Sequence, residues 1–113
     1  MHMLRINAIA QKDLFDIKEY ITQEFDNPTS ATKVVSKIIE SYETLRKFPM
    51  LGGELSNKID VSTNYRYLVS GNYIVFYKVD SEYVSIYRIL DSRRDYIKIL
   101  FNDEEFETEI EQE

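Results

Sequence analysis

The stretch Arg66-Tyr67-Leu68-Val69-Ser70-Gly71-Asn72-Tyr73-Ile74-Val75-Phe76-Tyr77-Lys78-Val79-Asp80-Ser81-Glu82-Tyr83-Val84-Ser85-Ile86-Tyr87-Arg88-Ile89-Leu90 decides the fold. Three runs rich in Tyr, Val, Ile and Phe are separated by Gly71-Asn72 and by Asp80-Ser81-Glu82. Aromatic and β-branched residues suit a pleated surface and short polar breaks mark turns, so the stretch reads as a three-stranded antiparallel meander. Gly71-Asn72 fits a two-residue hairpin turn, because glycine takes the positive φ such a turn needs. That turn sets Arg66 opposite Tyr77 and Leu68 opposite Val75. Closing the next hairpin at Ser81-Glu82 sets Tyr77 opposite Ile86 and Val75 opposite Arg88. One face then carries Arg66, Leu68, Tyr73, Val75, Tyr77, Ile86, Arg88 and Leu90, and the other Tyr67, Val69, Ile74, Phe76, Tyr87 and Ile89. Both faces are apolar, whereas a sheet with one wet side would alternate. The second face is therefore expected to be covered too, by the segment after Leu90 or by a partner. The pattern leaves open which face the helices take.

Upstream of the meander the period changes. Leu4 to Asn7 is a short apolar run that reads as a first strand. From about Ala10, the residues Leu14, Ile17, Ile21 and Phe25 recur at three- and four-residue steps with charged residues between them, the mark of an amphipathic helix. Asn27-Pro28 restarts the chain, since Asn can cap free N–H groups and Pro suits the first helical turn. Ala31, Val34, Val35, Ile38, Tyr42 and Leu45 then give a second apolar stripe that stops before Pro49. The two helices form an antiparallel hairpin, and Met50 to about Asn64 reads as loop. Tyr96, Ile97, Ile99 and Leu100 suggest a short final helix. The class is α+β: N-terminal strand, helical hairpin, three-stranded antiparallel meander and short C-terminal helix.

Composition bounds the function. The chain has 113 residues, room for one core. It has no Cys and a single His, His2, which argues against a disulfide framework, a thiol nucleophile, a Cys-type zinc site or a Ser-His pair. No cofactor and no metal are expected. Gly52-Gly53 lacks the Lys-Ser or Lys-Thr of a phosphate loop. No apolar run is long enough to cross a membrane and the N-terminus has no signal-peptide core, so a cytoplasmic protein without membrane attachment is expected. The formal net charge is -6. Asp103, Glu104, Glu105, Glu107, Glu109, Glu111 and Glu113 supply seven of the 20 acids and lie beyond all 14 basic residues, so 1–102 carry 14 minus 13, or +1. The expected division is a body over 1–102 and an acidic tail over 103–113. Within the tail, Phe106 and Ile110 have the spacing of one helical turn that could lie over Arg93 and Arg94.

The densest polar cluster is Arg88-Ile89-Leu90-Asp91-Ser92-Arg93-Arg94-Asp95-Tyr96. One reading is structural: Asp91 or Ser92 caps the last helix, Asp95 lies in its first turn, and the arginines pair with acids. The other is recognition of phosphate or a partner by Arg93 and Arg94. Arg66 and Arg88, expected on one sheet face, are either anchors needing a carboxylate or carbonyl partner, Asp95 among them, or part of a binding surface. Tyr67, Phe76 and Tyr87 form a cross-strand aromatic set for core packing or a partner groove.

The element order, with Leu14-Phe15-Asp16-Ile17-Lys18-Glu19-Tyr20-Ile21, Phe48-Pro49-Met50-Leu51-Gly52, Tyr65 to Val69, Gly71 to Val79 and Val84 to Asp95, resembles the RelE/ParE toxin superfamily over about Leu4 to Phe101. The meander followed by the ending Arg88, Leu90, Arg94, Asp95 is quite specific to the group. The resemblance implies a growth-inhibiting toxin of a type II toxin-antitoxin system, held in a hetero-oligomer by a cognate antitoxin that would cover the apolar surplus, with no small-molecule substrate. RelE-like members cleave mRNA in the ribosome, and ParE-like members inhibit DNA gyrase. Where RelE-like enzymes place an Arg this chain has Ile74, and where several relatives have His it has Asp91. Arg93, Arg94, Asp91 and Tyr96 are left as candidate catalytic groups for RNA cleavage. Arg66, Arg88, Arg93, Arg94, Tyr67, Phe76 and Tyr87 are the candidate target- or partner-binding residues. The strand wording stands closer to the ParE-like branch, which favours gyrase-type inhibition. An mRNA endonuclease, or a degenerate copy that keeps only antitoxin binding, is the alternative.

Overall fold

Strand β1 (Met3–Ile6) ends at Asn7, whose side-chain oxygen accepts a hydrogen bond from the Ala10 N–H at 2.9 Å and starts helix α1 (Ala8–Phe25). A single left-handed residue, Asp26 with φ 47, stops α1. Asn27 then accepts from the Ser30 N–H at 3.1 Å, and Pro28 opens helix α2 (Pro28–Glu43), the restart its sequence predicts. A 3-10 turn at Thr44–Arg46 finishes the helical hairpin before Pro49. The computed structural model describes residues 1–101. The acidic residues from Asp103 onward, with Phe106, Ile110 and the boundary expected at 102, lie outside the described residues.

Five strands form one sheet in the order β1-β5-β4-β3-β2, with β2 at Gly53–Glu54, β3 at Arg66–Ser70, β4 at Tyr73–Val79 and β5 at Tyr83–Asp91. The meander is present as expected. Gly71, at φ 58, makes the β3–β4 turn, and the Asp80 carboxylate accepts from the N–H groups of Glu82 (2.8 Å) and Tyr83 (2.7 Å) to close β4–β5. Two pairings lie beyond the sequence reading. β1 runs parallel to β5, and the two-residue β2 adds an edge beside β3. The final helix opens at residue 96 and is described as far as 101.

The expected register fails at one point. Arg66 does face Tyr77, Leu68 faces Val75 and Tyr77 faces Ile86, but Phe76 pairs with Arg88 and Val75 with Ile89. β5 takes up an extra residue at Tyr87, a bulge that exchanges the faces of everything after it. Ile89 therefore joins Val75, Tyr77 and Ile86 beneath α1 and α2, and Leu90 joins Ile74 and Phe76 on the far face. The expectation that Arg66 and Arg88 share a face is corrected by the same bulge.

Both faces are covered by the chain itself. Ala10, Ile38, Tyr42 and Leu45 from the helical side pack on the first face. Leu55, Tyr65 and Leu100, from the loop and the last helix, bury the second against Ile74, Phe76 and Leu90. Each large side chain buried this way contributes about 1.5–3 kcal/mol, enough to explain why a sheet apolar on both sides keeps its own cover. Much of the apolar surplus assigned to a partner is thus taken up internally, while Val69 on β3 stays exposed. Among the described residues, no helix is long and apolar enough to cross a membrane.

Candidate binding site at the end of β5

β5 ends at Asp91, and the chain is held there by its own turn. The Ser92 N–H donates to the Asn72 carbonyl at 2.8 Å, tying the strand end to the β3–β4 hairpin. The Asp91 carboxylate accepts from the Arg93 N–H (2.8 Å), Nε (3.0 Å) and Nη2 (2.7 Å). Those bonds hold the Asp91 carboxyl below the usual carboxylate range, with partial burial opposing, and raise the Arg93 guanidinium further above its already high range. Asp91 is therefore a weak base at neutral pH and Arg93 a permanent cation. The expected helix cap is corrected: the residue that caps the last helix is Asp95, whose carboxylate accepts from the Lys98 N–H at 3.2 Å, and not Asp91 or Ser92. The Tyr96 N–H donates to the Arg94 carbonyl at 2.9 Å, while its ring turns from the cluster and packs at a tilt on Phe76, with centroids 5.2 Å apart.

Arg94 is different. Its side chain is exposed and has no ion pair among the described residues. It lines a groove of about 270 Å³ between α1 and the ends of β4 and β5, together with Ile17, Ile89, Tyr20 and Tyr73. Burial, with the charge of Asp91 adding to it, raises the Tyr73 hydroxyl above the ordinary phenol range, so it stays protonated as a hydrogen-bonding group. The other charges around the groove are matched: Asp91 with Arg93, Asp16 with Lys12 at 3.0 Å, and Asp13 with Arg88 at 2.9 Å. Arg94 is the lining cation without an ion pair among the described residues, beside aromatic and aliphatic walls.

The remaining candidates are engaged within the fold. Arg88 turns to α1, donating through Nε (2.9 Å) and Nη2 (3.0 Å) to Asp13, which also accepts from the Ile89 N–H (2.9 Å). Arg66 donates to the carbonyls of Met50 (3.1 Å) and Gly52 (2.6 Å) and lies 3.6 Å from Glu54. Both arginines are held within the fold by these bonds. Phe76 is fully buried, which corrects its place among partner-contacting residues. Tyr67 covers Gly53, and Tyr87 meets Tyr65 edge-on at 5.6 Å, so the aromatic set serves mainly the second core. The sequence reading missed Asp13, Tyr20 and Tyr73. Asp13 left a signal, an acid inside the apolar stripe of Ala10, Leu14 and Ile17, where a carboxylate needs a buried partner.

The comparisons agree with this architecture. The family model for the ParE toxin of type II toxin-antitoxin systems, parDE, matches residues 4–96. The fold is similar to a solved chain of the chromosomal ParDE toxin-antitoxin system from P. aeruginosa, at TM-score 0.68 and 22% identity over 80% of this chain and 96% of that one. It is similar also to a chain of the toxin-antitoxin complex RelBE2 from Mycobacterium tuberculosis, at TM-score 0.56 and 16% identity over the same shares. No curated protein is significantly similar in sequence. The α+β fold is thus that of the RelE/ParE superfamily, and the chain belongs to its ParE toxin family.

Proposed function

We propose that this protein is the growth-inhibiting member of a type II toxin-antitoxin pair, that it acts by binding an essential protein rather than by cutting RNA, and that a cognate antitoxin silences it. By analogy with ParE-like toxins the target is DNA gyrase, and the site of action is the cytoplasm. In this reading 1–102 form the toxin body, with 103–113 appended, and the groove beside Arg94, with Arg93, Tyr20 and Tyr73, contacts the target or the antitoxin.

The observation that carries the reading is how the four candidate catalytic groups are used. RNA cleavage needs a group that takes a proton from the ribose 2′-OH and another that returns one. Here Asp91 is neutralised by Arg93, the Tyr96 ring packs against Phe76, and the bonds to Asp91 keep Arg93 a cation. What remains is a cation and two tyrosines around an apolar groove, a composition that suits protein contact. The two solved structures named above belong to toxin-antitoxin systems, which supports an antitoxin as partner.

Inducible expression with and without the neighbouring small open reading frame, followed by pulse labelling, tests it. DNA synthesis is expected to fall first and the neighbouring product to restore growth. Protein synthesis falling first, with cut message, would establish the endonuclease instead.

A further inference from the structure

Arg66 opens β3 and makes its hydrogen bonds through one nitrogen. Its Nη2 donates to the Met50 carbonyl at 3.1 Å and to the Gly52 carbonyl at 2.6 Å. Its Nε is buried and has no hydrogen-bond partner among the described residues. Its Nη1 lies 3.6 Å from Glu54 Oε1, close enough to feel the charge and too far for a hydrogen bond. Glu54 does not close that gap, because Asn57 Nδ2 donates to its other oxygen, Oε2, at 3.1 Å. The Arg66 side chain is only 15% exposed, whereas that of Glu54 is 59% exposed. A largely buried guanidinium with most of its N–H groups unmet is costly, and the acceptor that would satisfy it is an anion.

Arg66 and Glu54 line a groove of about 310 Å³. That is the lower end of the range for small-molecule sites, about 300–1,000 Å³. Ser56, Thr63 and Asn64 bring further donors to it, and Met50 and Val79 an apolar lining. Thr63 Oγ1 accepts from the Tyr65 N–H at 3.2 Å, so its own O–H is left to donate. Tyr73 begins β4 and Val79 ends it, so this groove and the one lined by Arg94 lie at opposite ends of that strand. A carboxylate fits the donor set: one oxygen takes Arg66 Nη1, and the other takes a hydroxyl or amide donor. A phosphate dianion fits less well, because Glu54 stands beside the same guanidinium and repels a second charge. Glu54 is exposed on the two-residue edge strand β2, so its side chain turns outward at little cost when another carboxylate takes its place.

We propose that the groove beside Arg66 binds a monocarboxylate carried on a short apolar body, the ligand displacing Glu54 from the guanidinium. Arg66 then acts through different nitrogens: Nη2 ties down the loop that ends at Gly52, and Nη1 meets the ligand. The site is independent of which target the toxin binds.

The full-length, isotope-labelled protein is titrated in an NMR tube with isovalerate and, as the peptide source of the same chemistry, with N-acetyl-leucyl-glutamate amide. The Arg66 Nε–H signal and the amide signals of Ser56 and Asn64 should shift and saturate at roughly millimolar ligand. Glu54→Gln, a change at an exposed side chain, removes the competing carboxylate and should tighten binding about tenfold. The neutral isovaleramide should leave the signals in place, and inorganic phosphate should bind more weakly than isovalerate. Whichever carboxylate binds more tightly identifies the source. Arg66→Gln should abolish binding. Should that variant not fold, Ser56→Ala with Asn64→Ala should weaken binding while the melting temperature stays put. No saturable shift with either carboxylate, equal shifts with isovaleramide, tighter binding of phosphate, or a Glu54→Gln variant that binds no better overturns the proposal.

Discussion

The carboxylate of Asp13 holds Arg88 through two bonds, Nε at 2.9 Å and Nη2 at 3.0 Å, and also takes the backbone N–H of Ile89. β1 pairs with β5 only as far as Ile86, so this clasp sits where the strand has lost its parallel neighbour. It satisfies an edge N–H that would otherwise be orphaned and fixes α1 over the groove that Arg94 borders. Replacing Asp13 by Ala should cost about 3–5 kcal/mol, because it removes an ion-pair partner of a largely buried guanidinium and the acceptor of the Ile89 amide. Urea denaturation measures it, and Asp13→Leu combined with Arg88→Met should recover much of the loss.

The loop from Phe48 to Gly52 is secured from below by Tyr77. Its hydroxyl donates to the Pro49 carbonyl at 3.0 Å and accepts from the Gly52 N–H at 2.9 Å. Tyr77→Phe leaves the buried Gly52 N–H without its acceptor and should cost about 1–3 kcal/mol in a denaturant titration. Gly52→Ala should cost more, since a Cβ there would collide with the Tyr67 carbonyl and the Tyr77 hydroxyl.

Asp91 should titrate below the ordinary carboxylate value of 3.8, and Arg93→Ala should move its midpoint upward, as followed by side-chain carboxyl NMR. A depressed carboxyl stabilises the fold above its unfolded pKa, and that contribution disappears as pH falls through the lower folded value. The Arg93–Asp91 contribution is therefore complete at neutral pH and vanishes only in acid below the usual carboxylate range.

Much of this was legible in the residues. Period-two runs around Gly71-Asn72 gave the meander and the register of its first hairpin, and Asn27-Pro28 marked the break between the helices. The bulge at Tyr87 was not legible, because nothing local in Ser85-Ile86-Tyr87-Arg88 announces it and the alternating pattern continues on either phase when both faces are apolar. That one residue decided where Arg88, Ile89 and Leu90 point, and so which arginines anchor and which stay free. The parallel pairing of β1 with β5 was hidden for another reason: it joins residues some 80 apart in sequence, for example Arg5 and Ser85. Tyr20 and Tyr73 were missed since a groove between a helix and a strand end has no signature in either segment alone.

Arg94 carries the binding reading in the fold. As an exposed side chain without an ion pair among the described residues, its change to Ala should leave stability within about 0.5 kcal/mol while weakening antitoxin or target binding about tenfold, on the order of 1.4 kcal/mol. Calorimetric titration beside a denaturant melt separates the two. Unchanged binding would move the contact surface away from the groove.

The most direct test of the central claim places purified, antitoxin-free protein in two reactions at once, plasmid supercoiling by gyrase and translation of a defined message in a reconstituted extract. Supercoiling is expected to stop, or cleaved gyrase complexes to accumulate, while the message stays intact. Undisturbed supercoiling together with message cut during translation would contradict the account.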